Sequence, residues 1–169
     1  MKRYITVLVP ILLLTFSSCE YFSKKVEKNF CDKIYAINDS LDKLNNDWLA
    51  AVNFSIKKKE YSTLNAKRIF IGQFIGRNRI VVAEADATKN MDGFRIAERN
   101  FLTAQAEVVS DIYTPFEMYN EFTPKATLDR CYNAVIDSIN SGRNASARIV
   151  ADLKQFEIAH KLGKSSKKQ

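Results

Sequence analysis

The chain has 169 residues, 46% of them hydrophobic, with only five glycines and three prolines. That length and composition fit one globular domain and exclude a disordered or collagen-like chain. The formal net charge is +7, unevenly spread. Residues 57–79 hold Lys57, Lys58, Lys59, Lys67, Arg68, Arg77 and Arg79 against Glu60 alone, whereas residues 84–129 hold nine acids against four bases. Such separation can steer a partner or meet anionic lipid heads, although a solvated surface gives the same pattern.

The amino terminus opens with Lys2 and Arg3, followed by a thirteen-residue apolar run from Tyr4 to Phe16 and the small residues Ser17 and Ser18. This is the tripartite layout of a secretory signal over residues 1–18. The run is too short for a permanent span, which needs about 20 apolar residues as a helix. Phe16-Ser17-Ser18-Cys19 resembles the lipobox of bacterial lipoproteins, with Phe16 standing where a Leu-like residue is usual. The resemblance covers only residues 1–20. It implies that Cys19 becomes the first residue of the mature chain and carries acyl chains. It also implies a position in the bacterial cell envelope, facing the periplasm. Glu20 is not the Asp associated with inner-membrane retention, so the resemblance favours the outer membrane. Without Lys2 and Arg3 the mature charge is 7 − 2 = +5.

Residues 19–25 are expected to be a lipidated tether, followed by a helical domain over 26–162 and a disordered basic tail over 163–169. Phe30, Ile34, Ile37, Leu41, Leu44 and Trp48 recur every three or four residues, which predicts a first helix near 25–58. Over 61–87, Tyr61, Leu64, Ile71, Ile75, Val82 and Ala85 share one helical face. Ile69-Phe70-Ile71 and Ile80-Val81-Val82 leave open a hairpin turning near Gly76, but a lone hairpin is marginal and helix is preferred. Asn90-Met91-Asp92-Gly93 reads as a turn. A third helix over 93–113 has the stripe Phe94, Ala97, Phe101, Ala104, Val108 and Ile112.

Thr114-Pro115-Phe116-Glu117 has the form of a capping box opening a short helix to about Phe122. Thr123-Pro124 opens a helix over 124–140, which Ser141-Gly142 is expected to end. A last helix is placed near 144–162. The expected fold is all-α, an antiparallel bundle of about four long helices plus one short one.

Export to an oxidising compartment makes Cys31 and Cys131 a candidate disulfide, with two buried free thiols as the alternative. Metal chemistry has little to draw on, because His160 is the sole histidine and no Cys-x-x-Cys occurs. No cofactor motif and no nucleophile–base–acid constellation is visible. Nucleic acid is not an expected partner of an exported chain. The expectation is a lipid-anchored, non-catalytic envelope protein that binds another envelope protein. Anionic lipid or a cell-wall polymer is a further possible partner of the basic segment. The alternatives are a periplasmic inhibitor or immunity-type protein and, third, a cell-wall or lipid-active enzyme.

Overall fold

The computed structural model describes the backbone of residues 5–162 and the side chains of residues 21–162. The side chains of the expected signal segment and of the expected acylation site Cys19, and the expected tail 163–169, lie outside the described residues. Within them α1 spans Ile5–Lys58, α2 Leu64–Glu84, α3 Asp92–Val108 and α4 Lys125–His160. Sequential helices run antiparallel and pack as neighbours, and α4 closes the ring against α1. The expected all-α bundle is the observed architecture. Among the described residues no helix is long and apolar enough to cross a membrane.

The stripe of α1 builds the core much as its spacing demands. Phe30, Ile34, Ile37, Leu41 and Trp48 are all buried. Backbone helix also runs through 19–25, the expected tether. No Gly or Pro stands between Pro10 and Gly72, so nothing local breaks it. Both α1 and α4 end with a lysine in the left-handed region, Lys59 at φ 57° and Lys161 at φ 54°. Glu60 N–H then donates to Ser55 O at 3.2 Å and Leu162 N–H to Glu157 O at 3.0 Å, which satisfies carbonyls at each helix end.

Segment 61–87 is not a hairpin: it is helical over Leu64–Glu84, with Tyr61 and Ala85 just outside the helix ends. All six residues of its expected face are buried: Tyr61, Leu64, Ile71, Ile75, Val82 and Ala85. Burial of this face offsets the helix cost of two glycines and several β-branched residues.

Three local expectations are corrected. The first concerns the face of α3. The residues turned inward are Glu98, Phe101, Leu102 and Gln105, so the buried face is rotated from the apolar stripe. Ala104 is exposed, and Phe94, Ala97 and Val108 are only half-buried. Two polar residues occupy core positions because α1 supplies partners for them, described below.

The second is the capping box. The chain does not restart at Thr114. It passes from α3 through a wide π turn at Val109–Tyr113 into a tight 3-10 turn at Thr114–Met118. The Thr114 hydroxyl donates backward to Val109 O at 3.3 Å, and Glu117 reaches across to Arg68 on α2. Neither side chain is left for a cap. The wide turn also brings Val109, Tyr113 and Phe116 into the core, which a clean helix restart at 114 would not do.

The third is the break at Ser141-Gly142. α4 continues through it, joining the two helices expected at 124–140 and 144–162. Gly142 is buried, and a Cβ there would stand 2.8 Å from Gln105 Nε2. The glycine marks a close approach of α4 to α3, at a helix cost of about 1 kcal/mol relative to alanine.

The proposed Cys31–Cys131 bridge is also overturned: both thiols are free. Cys31 lies on α1 beside Glu157 near the end of α4, and Cys131 lies near the start of α4 against Tyr119, its Sγ 2.8 Å from the hydroxyl. Residues 131 and 157 are separated by about 39 Å along one helix. A disulfide requires Cα atoms within about 7 Å. Each cysteine sits on an apolar stripe as expected, but at opposite ends of the bundle. Burial pushes the Cys31 thiol up to about 12. Alkylation of the folded protein followed by peptide mass spectrometry should therefore modify half-buried Cys131 well before Cys31. Equal labelling of the two would contradict this packing.

Candidate functional site

Two polar stations cross the bundle core between α1 and α3, which face each other diagonally. At the first, Asn38 Nδ2 donates to Glu98 Oε2 at 3.2 Å. At the second, Asn45 Nδ2 donates to Gln105 Oε1 at 3.3 Å, while the Tyr113 hydroxyl donates to Asn45 Oδ1 at 3.0 Å. All five residues are buried. Asn38 and Asn45 are one heptad apart, as are Glu98 and Gln105, so the stations are about 10 Å apart along the bundle. Leu41 and Phe101 fill the apolar layer between them. Such pairs favour one register of α1 against α3, because a slip leaves buried polar groups unpaired.

The first station is incompletely satisfied. Asn38 Oδ1 and Glu98 Oε1 have no hydrogen-bond partner among the described residues. Desolvation raises the Glu98 carboxyl to about 7, against the opposing pull of the Asn38 amide.

A groove of about 550 Å³ opens onto these stations between α1 and α4. Asn38, Asn45, Gln105, Leu41 and Phe101 are among its lining residues. The α4 bank is low because it carries Gly142, Ser146, Ala147 and Val150. On its rim Arg143 Nε donates to Asp42 Oδ1 at 2.6 Å, and its guanidinium also meets Asn46. Asp39 and Lys154 line it further along. The volume lies within the usual range for small-molecule sites, roughly 300–1,000 Å³.

The second candidate surface is the outer face of α2. Ile69, Phe70, Ile80 and Val81 are exposed there, Phe70 at 50% and Ile80 at 57%. Exposed Gln73, Gly76 and Arg77 stand between them, so the outer face of α2 presents two apolar pairs about 16 Å apart. Gly76 lies in this face with no atom within 4 Å of an added Cβ. Beside Phe70, a hollow of about 340 Å³ is lined by Leu44, Trp48 and Ile71.

The seven basic residues singled out by sequence do not form one patch. Lys57 and Lys58 end α1 and Lys59 follows in the loop, all exposed. Lys67, Arg77 and Arg79 are exposed on α2, but Arg77 lies about 15 Å along the helix from Lys67, and Arg79 about 18 Å. Arg68 is largely buried and committed to Glu117, which accepts from both Nε and Nη2. Arg77 thus lies within the exposed face between its two apolar pairs and Lys67 at its edge, while Lys57–Lys59 sit at the bundle end.

Sequence reading missed the polar stations because Asn38, Asn45, Glu98 and Gln105 look like surface residues on single helices. The signal that was present is their shared heptad spacing. Among the described residues no group of three or more His, Cys, Asp or Glu is placed to hold a metal ion. No known protein family, curated protein or solved structure matches this chain.

Proposed function

We propose that this chain is a lipid-anchored protein of the bacterial cell envelope that acts by binding another protein through the outer face of α2. The observation that carries the binding reading is the two exposed apolar pairs on α2, Ile69-Phe70 and Ile80-Val81, the first beside a hollow. Clustered exposed apolar side chains, unlike isolated ones, mark an interaction surface. Lys67 beside Phe70 and Arg77 between the two pairs favour a partner that sets carboxylates among its apolar side chains. The hollow beside Phe70 offers a socket for one apolar side chain.

The anchor reading rests on the residue pattern up to Cys19. Exposed Tyr21 and Phe22, at 72% and 69%, follow it after Glu20. Aromatic side chains favour the membrane–water interface, so they suit the position next to an acylated residue. An anchor would also raise the local concentration of any partner held in the same membrane.

A photo-crosslinking side chain at position 70, in intact envelopes, tests the reading. It should trap a discrete protein adduct, whereas the same group at exposed Asn133 on α4 should not. Phe70→Glu should abolish the complex, and Cys19→Ser should release the chain from the membrane fraction. Identical adducts from both positions, or none, would defeat the α2 assignment. Unchanged membrane partitioning in Cys19→Ser would defeat the anchor.

A further inference from the structure

We infer that the groove between α1 and α4 is a binding site for a small zwitterion, a free α-amino acid with an elongated neutral side chain. This inference is independent of the α2 surface. Three features of the groove lead to it.

The first is a buried acceptor at the floor. Asn38 is 6% exposed, lines the groove, and leaves Oδ1 without a partner among the described residues. This carbonyl is covered in the free protein, and a ligand N–H would satisfy it once the Asn38 amide turns toward the groove. The second is charge on opposite banks. Asp39 stands on α1 near Asn38, and Lys154 stands on the facing helix. Lys154 has no ion pair among the described residues, and Asp39 has only a long 3.5 Å contact to exposed Lys43. An α-ammonium fits Asn38 Oδ1 together with Asp39, and an α-carboxylate fits Lys154.

The third is the layering along the groove. From Asn38 the walls pass over Leu41 and Phe101, with Ala147 opposite, to the second station at Asn45 and Gln105 about 10 Å away. A side chain laid along this path meets an apolar stretch first and amide groups at its end. Arg143 near that end is already neutralised by Asp42, so a charged side-chain tip gains nothing there. The preferred ligand is therefore neutral beyond its α-carbon, as in glutamine or methionine.

Isothermal titration and thermal melting with the common L-amino acids, on the full chain in detergent, test this. At least one elongated neutral amino acid should bind saturably below about 10 mM. Its methyl ester and its N-acetyl derivative, each lacking one charge, should bind about tenfold or more weakly. Lys154→Ala should weaken binding of the parent by a similar factor. Ala147→Trp projects from an exposed position and fills the groove without touching the buried amides. It should abolish binding while leaving the helical circular dichroism and melting temperature of the free protein in place. Absence of saturation with every amino acid would overturn the inference. So would equal binding of the methyl ester, or binding that survives Ala147→Trp.

Discussion

Replacing Trp48 by Ala is expected to lower the free energy of unfolding by about 3–5 kcal/mol. Trp48 is the sole tryptophan, is fully buried, and stacks on Tyr113 with ring centroids 4.7 Å apart and planes 17° from parallel. Its loss opens a cavity at the centre of the bundle, next to the wide turn that delivers Tyr113. The indole N–H makes no hydrogen bond among the described residues, so the cost is one of packing and not of a broken polar contact. Urea denaturation followed by far-ultraviolet circular dichroism measures it without relying on the missing fluorophore. Phe122→Ala provides the contrast. Phe122 is 83% exposed, and its truncation should change stability by no more than about 0.5 kcal/mol. Similar losses for the two variants would place Trp48 outside the cooperative core.

The second large effect is a pH dependence set by Glu98. Its carboxyl ordinarily titrates at 4.5 and is raised to about 7 in the folded chain by burial. The folded state therefore holds this proton more tightly than the unfolded state. Stability from this group is fully present below about pH 4.5. It is lost as pH rises through about 7, because the folded chain must then ionise a buried acid. At ~1.4 kcal/mol per pH unit the difference amounts to roughly 3 kcal/mol. Glu98→Gln keeps an acceptor for Asn38 and removes the charge. It should unfold at higher urea than the parent at about pH 8, with the gap closing near about pH 4. Equal pH profiles for parent and variant would show that Glu98 does not titrate in the folded core.

These two positions differ in how they could be read from sequence. Trp48 falls on the three–four repeat that begins at Phe30, and its burial follows from that repeat alone. Glu98 looks like an ordinary polar residue on the wet side of a helix. Apolar periodicity placed α1 and the buried face of 61–87 because in both segments the core positions are filled by apolar residues. In α3 the same method chose a rotated face, since Glu98 and Gln105 hold core positions that a hydrophobicity pattern assigns to solvent. Only Asn38 and Asn45, sixty residues earlier, make those positions tolerable.

The punctuation residues failed for a related reason. Gly142 reads as a stop, and Thr114-Pro115 as a start, when judged against their neighbours in sequence. In the fold Gly142 is where Gln105 presses against α4. Glu117 is engaged by Arg68 from another helix. Such contacts override local propensities worth about 1 kcal/mol each. The groove is likewise a product of assembly: its floor comes from α1 and α3 and its low bank from the small residues of α4. None of the three segments contains it.

By itself, the sequence determined that this chain folds as packed helices, and where the first two lie. Amphipathic spacing is a property of one segment and needs no knowledge of what it packs against. Tertiary structure alone decided the inward face of α3, the continuity of α4, the separation of the two thiols, and the pairing of polar side chains across the core. Each of these depends on which atoms from distant segments meet, and that is set by the closure of the bundle.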